Sequence, residues 1–191
     1  MDATLLCRQI KFLDMNLSHL ELLISEQNIV EKISEVAAQL DADFNGREVT
    51  IVMIMKGAIC LVADLIRHLH SPCSLEFIQT SSYGQKGTER GALSFFGLEK
   101  VNVAGKHVLL VDDIFDSGVT LSEAVKRLKE QNPETIKSLV LLSKNVPHKT
   151  DYRPDYALFE IENRFVVGYG LDYKEYYRGL PGVYAMVMEG K

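Results

Sequence analysis

The stretch HVLLVDDIFDSGVTL, residues 107–121, decides the fold class of this chain. Residues 107–111 are rich in β-branched residues and leucine and show no polar alternation, which is typical of a central parallel strand covered on both faces. After the turn, apolar residues recur at helical spacing, at Leu121, Ala124, Val125 and Leu128. The sequence therefore predicts a strand, a tight turn and a helix. Open α/β sheets bind their ligands at such a turn.

The turn has the composition of a phosphate-binding site. Ser117, Gly118 and Thr120 offer hydroxyls and backbone N–H groups to a dianion, and the dipole of the following helix favours the same charge. Asp112 and Asp113 precede the turn, where carboxylates can accept hydrogen bonds from the vicinal diol of a ribose. Adjacent acids near a phosphate require a cation, so the pattern predicts bound magnesium. A solvated turn with an Asx cap is the alternative interpretation.

The rest of the chain alternates predicted helices and strands. Helices are predicted from Ser25, as N-cap, to about Phe44 and over residues 58–70. Strands are predicted over residues 49–55, 74–80, 136–142, 156–161, 165–167 and 183–188. This order predicts an α/β fold, with a twisted, mainly parallel sheet flanked by helices in a single domain over residues 1–191. The glycine-rich stretch from Ser82 to Asn102 is expected to be a lid or a disordered surface hairpin.

Composition excludes several classes of protein. The net charge of −5 and the absence of a Lys/Arg cluster argue against a nucleic-acid-binding surface. Cys7, Cys60 and Cys73 lack metal or redox spacing, which favours reduced thiols. The N-terminal residues lack the pattern of a secretion signal, and the longest apolar runs are too short to cross a membrane. We therefore expect a cytoplasmic protein without membrane or nucleic-acid partners.

Four stretches of the chain resemble the type I phosphoribosyltransferases, and in particular the bacterial hypoxanthine-guanine phosphoribosyltransferases. VDDIFDSGVT, residues 111–120, is similar to the phosphoribosyl-pyrophosphate signature of that family. VMIMKGA, residues 52–58, resembles its pyrophosphate loop, and TSSYG, residues 80–84, resembles the start of its lid. FVVGYGLDYKEYYR, residues 165–178, resembles its purine-binding tail and is the most specific match.

The resemblance implies a function in purine salvage. A member of this family transfers the 5-phosphoribosyl group from phosphoribosyl pyrophosphate to N9 of hypoxanthine or guanine, giving IMP or GMP and pyrophosphate, with Mg²⁺ as cofactor. It also implies a small hood built from the N- and C-terminal segments, a mobile lid over about residues 82–102, and a homodimer or homotetramer.

The resemblance assigns roles around the phosphate turn. The 5′-phosphate and ribose are expected to bind Asp112, Asp113, Asp116, Ser117, Gly118, Val119 and Thr120. Asp116 is also expected to take the N7 proton of the purine as N9 attacks C1′. The expected metal ligands are Asp112, Asp113 and Asp172.

The purine and pyrophosphate have their own expected residues. Phe165 stacks on the base, Val166 offers a backbone group, and the backbone of Asp172 lies near the C2 edge. Lys144 donates to O6 and so selects 6-oxopurines over adenine, although a solvated lysine at a strand end is the alternative. Pyrophosphate is expected to bind Lys56, Gly57, Ser82, Tyr83 and Arg178. A cis peptide bond between Met55 and Lys56 is also implied.

Two departures from the family pattern and two rival functions remain open. Val119 stands where several relatives carry a longer polar or basic residue, and Asp112 replaces the more usual glutamate, so we expect altered affinity with activity retained. A regulator that senses phosphoribosyl pyrophosphate on the same fold is one rival, although those that bind RNA need a basic face. An enzyme that prefers xanthine or a pyrimidine is the other.

Overall fold

The computed structural model describes residues 19–82 and 93–187. Their strands and helices are β1 Leu20–Ile24, α1 Glu26–Phe44, β2 Val49–Met55, α2 Ile59–His68, β3 Cys73–Ser82, β4 Leu93–Phe96, β5 His107–Phe115, α3 Val119–Lys129, β6 Thr135–Lys144, β7 Tyr156–Ile161, β8 Val166–Val167 and β9 Val183–Met186. Among these residues, no helix has the length and apolar content needed to cross a bilayer. The single domain over residues 1–191 stays a prediction, because both chain ends lie outside the described residues.

The described strands form two sheets. The larger has six strands in the order β4-β3-β2-β5-β6-β7, and all of them are parallel except β4. The carboxyl ends of its parallel strands therefore share one edge, as the strand and helix pattern predicted. The smaller sheet is antiparallel, in the order β1-β9-β8, and corresponds to the expected hood.

Helices cover the central strand β5 on both faces. Leu109 and Val111 pack in a core cluster with α1 and α2, while Val108 and Leu110 pack in a second cluster with α3. All four side chains are fully buried. The prediction of a doubly covered parallel strand from its uniform apolar composition is thus confirmed.

Strand β5 is longer than predicted. The sequence pattern ended it at Val111, with the acidic pair on a fraying end, but β5 continues to Phe115. The reason is its partner β6, which places Val140 opposite Asp112 and Ser143 opposite Phe115. The acidic pair therefore lies on a strand whose neighbour holds it in register.

Part of the expected lid is regular structure. Residues 93–96 form β4, whose Leu93 pairs with Ser82 of β3, and a short 3-10 helix covers Leu98–Lys100. Phe95 lies 5.3 Å from the Arg127 guanidinium and packs on the α3 cluster. The expectation of irregular structure up to Asn102 was wrong. The short strand β4 lies between Gly91 and Gly97, and these glycines favoured the prediction of a loop. Residues 83–92 lie outside the described residues.

Candidate active site

A cavity of about 290 Å³ opens at the carboxyl edge of the parallel strands, at the ends of β2 and β5. Its lining contains predicted site residues from distant parts of the chain, namely Lys56, Gly57, Asp112, Asp113, Asp116, Ser117, Gly118, Thr120, Asp172 and Arg178. They meet because parallel strands end at the same edge. The cavity is therefore the candidate active site.

A glycine shapes the turn at the start of α3. Gly118 is the N-cap of this helix and has a φ of +80°, a left-handed conformation that favours glycine. A Cβ at this position would lie 2.4 Å from Thr150 Cγ2 and 2.8 Å from the Phe115 ring. Since glycine brings no capping side chain, N–H groups in the first turn of α3 are available to an anion.

Asp112 is buried, Asp113 beside it is half-buried, and the two form an acidic pair. Burial raises the pKa of both carboxyl groups, and the negative charge of Asp113 raises the pKa of Asp112 further. Hydrogen bonds and the nearby Arg178 guanidinium lower the pKa of Asp113 without reversing the effect of burial. A divalent cation would stabilise the ionised form of such a pair, so the donor set fits magnesium.

The described residues provide only part of a metal coordination shell. Among them, no group of three or more His, Cys, Asp and Glu side chains is placed to hold a metal ion. The third expected ligand, Asp172, accepts a hydrogen bond at its Oδ1 from Arg178 Nη2 at 2.7 Å. Magnesium commonly binds one or two carboxylates and takes its other oxygens from water and substrate phosphates. A phosphorylated ligand would complete the shell in the same way.

The loop after β2 lies against the acidic pair. A Cβ on Gly57 would stand 1.6 Å from Asp113 Oδ2, so glycine is required for this approach. The peptide bond between Met55 and Lys56 is cis, as the resemblance implied. Gly170 reaches the same loop from the tail, since its Cβ would lie 2.1 Å from the Gly57 carbonyl oxygen. The loop is thus enclosed by β5 on one side and the tail on the other.

Two residues at the end of β6 and after it hold Asp116. Lys144 Nζ donates to Asp116 Oδ2 at 3.2 Å, and the Nδ1 of His148 donates to the Asp116 carbonyl oxygen at 2.6 Å. The His148 ring also lies 4.6 Å from the Phe115 ring, centroid to centroid. His148 was not predicted as a site residue, because it reaches Asp116 through the loop between β6 and β7 and no local pattern marks it.

Among the predicted residues whose side chains the structure describes, four lie outside the cavity lining. Val119 is 39% exposed on the outer side of the turn, and Lys144 stands behind Asp116. Phe165 is 42% exposed, and its ring packs edge-on to Tyr173 at 5.7 Å. The side chain of Val166 is buried in the core, so only its backbone can reach a ligand.

The two cations of the cavity are bridged by acidic side chains. Lys56 Nζ lies 2.9 Å from Glu175 Oε2, and Arg178 Nη2 lies 3.3 Å from the same oxygen. The sequence analysis assigned no role to Glu175. Of the two residues expected to close the lid, Tyr83 lies outside the described residues and Ser82 is described only as the last residue of β3.

Comparison with known proteins gives consistent matches. Residues 21–174 match the family model described as "Phosphoribosyl transferase domain". The hypoxanthine-guanine phosphoribosyltransferase of Aquifex aeolicus (strain VF5) is 37% identical over 166 residues, which are 86% of this chain and 93% of that protein. The Bacillus subtilis (strain 168) enzyme of the same name is 37% identical over 161 residues, 84% of this chain and 89% of that protein.

Solved structures agree with these matches. A hypoxanthine-guanine phosphoribosyltransferase from Bacillus anthracis superposes with a TM-score of 0.78 at 37% identity, covering 87% of this chain and 98% of that chain. The hypoxanthine phosphoribosyltransferase of Trypanosoma cruzi in complex with the product IMP superposes with a TM-score of 0.81 at 31% identity, covering 91% and 97% of the two chains. The resemblance drawn from the four sequence stretches is confirmed.

Proposed function

The chain belongs to the hypoxanthine-guanine phosphoribosyltransferases, and we propose that it transfers the 5-phosphoribosyl group from phosphoribosyl pyrophosphate to N9 of hypoxanthine or guanine, releasing pyrophosphate. One observation carries the proposal. A single cavity joins an acidic pair, a helix N-terminus and two cations, which suit the diol, the 5′-phosphate and the pyrophosphate of one substrate. The same relatives favour the enzyme over a regulator that only senses phosphoribosyl pyrophosphate.

The proposed reaction begins with the substrate laid across the cavity. The 5′-phosphate binds the first turn of α3, helped by the hydroxyls of Ser117 and Thr120, and the ribose diol faces Asp112 and Asp113. Lys56 and Arg178 attract the pyrophosphoryl group and later hold the leaving pyrophosphate. Asp116 takes the N7 proton while N9 attacks C1′. Much of the rate enhancement comes from this positioning.

Magnesium is part of the proposal. The raised pKa values of Asp112 and Asp113 support a cation at this position, which would neutralise phosphate charge on the substrate. Asp172 Oδ1 accepts a hydrogen bond from Arg178 Nη2, and the remaining lone pairs of this carboxylate would be available to the cation or its water shell.

The purine is proposed to bind between Phe165 and the sheet edge near Lys144. The Nζ of Lys144 is a donor, so it can pair with O6 of a 6-oxopurine and cannot pair usefully with the amine of adenine. The hydrogen bond that Lys144 Nζ donates to Asp116 supports this assignment, because Asp116 is the carboxylate proposed to take the N7 proton of the purine.

Steady-state turnover of hypoxanthine, guanine, xanthine and adenine tests the function. With phosphoribosyl pyrophosphate and magnesium, the wild type is expected to use hypoxanthine and guanine and to reject adenine. In Lys144→Ala, we expect the preference over adenine to fall about 10- to 100-fold, since a good polar contact is worth roughly 1–3 kcal/mol of discrimination. Lys129→Ala, at the far end of α3, is the matched control and should keep the preference. If phosphoribosyl pyrophosphate binds and no base reacts, the regulatory function replaces the enzymatic one.

A homo-oligomer is also proposed, through an apolar face on β3 and β4. Leu75, Phe77 and Phe96 are 45%, 55% and 49% exposed, and the strand register places them on one side of the sheet. A monomer rarely leaves such a patch uncovered. Sedimentation velocity should show a dimer or tetramer for the wild type and a smaller species for Phe77→Glu. A monomeric wild type would refute the proposal.

A cytoplasmic location completes the proposal. Cys60 and Cys73 are free thiols in the described part of the chain, which is typical of a reducing compartment. Cell fractionation with an antibody against the chain checks this location, and recovery outside the cytoplasm would contradict it.

A further inference from the structure

The carboxylate of Glu175 forms ion pairs with both cationic side chains of the cavity, Lys56 and Arg178. Glu175 Oε2 lies 2.9 Å from Lys56 Nζ and 3.3 Å from Arg178 Nη2. These are the two cations that the proposed function assigns to pyrophosphate, and a phosphate oxygen would seek the same donors. The cations are therefore already paired in the absence of any ligand.

The local backbone conformation positions the Glu175 side chain next to these two cations. Lys174 and Glu175 have φ angles of +52° and +71°, a left-handed conformation that residues with long side chains seldom adopt. The Glu175 N–H donates to Asp172 Oδ2 at 2.8 Å, which fixes the turn at its other end. The Glu175 side chain itself is 64% exposed, so the carboxylate can leave without disturbing the core.

Arg178 already donates hydrogen bonds to acceptors of the protein itself. Its Nη1 donates to the Gly170 carbonyl oxygen at 2.7 Å, and its Nη2 contacts Asp172 Oδ1 at 2.7 Å. Its Nε is buried and has no hydrogen-bond partner among the described residues. A buried donor without an acceptor is unfavourable, so this arrangement leaves Arg178 with an unmet hydrogen bond.

We propose that Glu175 is an internal competitor of pyrophosphate, whose carboxylate pairs with Lys56 and Arg178 and must leave before a pyrophosphoryl group can bind them. The inference rests on the proposed function, which assigns these cations to pyrophosphate. Its consequence is that Glu175 weakens pyrophosphate binding and promotes product release. Glu175 is thus a positioning residue that acts through the two cations.

Titration calorimetry with magnesium pyrophosphate tests the competition on the full chain. Glu175→Gln keeps the length of the side chain and removes its charge, and we expect pyrophosphate to bind about three- to tenfold more tightly, because exposed ion pairs are individually weak. Glu175→Asn is a second variant that suits the left-handed backbone, and it should show the same gain. In the Lys56→Met background, Glu175→Gln should increase pyrophosphate affinity much less, so that the ratio of the two affinities approaches one.

Glu160→Gln is the matched control, since it removes the same charge at the end of β7, on the same edge of the sheet. It should leave pyrophosphate affinity unchanged. Unchanged or weaker binding in both Glu175 variants overturns the inference, and so does an equal gain in Glu160→Gln, which would indicate a general charge effect.

Turnover of hypoxanthine by the wild type is measured separately. If turnover is present and the gain is absent, the inference alone fails; if turnover is absent, the proposed function fails whatever the Glu175 variants show.

Discussion

Replacing Asp116 by asparagine is expected to lower kcat/KM for hypoxanthine about 10²- to 10⁴-fold, because the variant keeps the shape of the side chain and loses its ability to take a proton. The amide oxygen can still accept the hydrogen bond that Lys144 Nζ donates at 3.2 Å. The His148 contact to the Asp116 carbonyl oxygen is a backbone contact and is also retained. The loss should therefore fall on kcat, with little change in KM for phosphoribosyl pyrophosphate.

Steady-state kinetics with hypoxanthine and magnesium give this measurement. Asp151→Asn is the matched control, because Asp151 lies exposed in the β6–β7 loop and outside the cavity lining. It should retain the wild-type kcat. An Asp116→Asn enzyme with nearly full kcat would remove the assignment of this residue as the base while leaving the rest of the site in place.

Replacing Gly57 by alanine is expected to lower kcat/KM by about 10²-fold or more, since a misplacement of about 1 Å in a catalytic constellation can have that effect. The new methyl group would lie 1.6 Å from Asp113 Oδ2 and 2.3 Å from Asp113 Cγ. Either Asp113 or the loop that carries Lys56 must move. Both belong to the binding site for phosphoribosyl pyrophosphate, so weaker substrate binding should accompany the loss of rate.

Kinetics together with calorimetric binding of magnesium phosphoribosyl pyrophosphate check the Gly57→Ala variant. Gly46→Ala serves as the control, because a Cβ at Gly46 would meet nothing within 4 Å. Gly46 has a φ of +73°, so its variant should lose some stability and keep its activity. Wild-type binding in a folded Gly57→Ala enzyme would show that the close approach to Asp113 does not matter for the substrate.

The features of the fold that could be predicted from sequence are the local ones. The composition and spacing of residues 107–129 predict a strand, a turn and a helix, and the structure confirms all three. The end of β5 could not be predicted, because it depends on the length of its neighbour β6. The pairing of β1 with β9 joins residues near opposite ends of the chain, and no local pattern encodes such a register.

The residues of the candidate site also fall into those that could be predicted from the sequence and those that could not. The acidic pair and the phosphate turn follow from a short stretch of sequence, and the resemblance to a known family supplied Lys56, Lys144 and Arg178. His148 and Glu175 were missed, because His148 reaches the site through the loop after β6 and Glu175 through a turn of left-handed backbone, and no local sequence pattern marks either one. Sequence patterns predict residues whose chemistry suits a ligand. The structure adds the residues that contact and position them, such as His148 at Asp116 and Glu175 at Lys56.

Phosphorus NMR of the full chain with phosphoribosyl pyrophosphate, magnesium and hypoxanthine follows the proposed transfer as it occurs. We expect phosphoribosyl pyrophosphate to disappear while IMP and pyrophosphate appear in equal amounts, and only when the purine is present. Persistence of phosphoribosyl pyrophosphate in the presence of hypoxanthine or guanine, or its breakdown at the same rate without a base, would contradict the proposed transfer to N9.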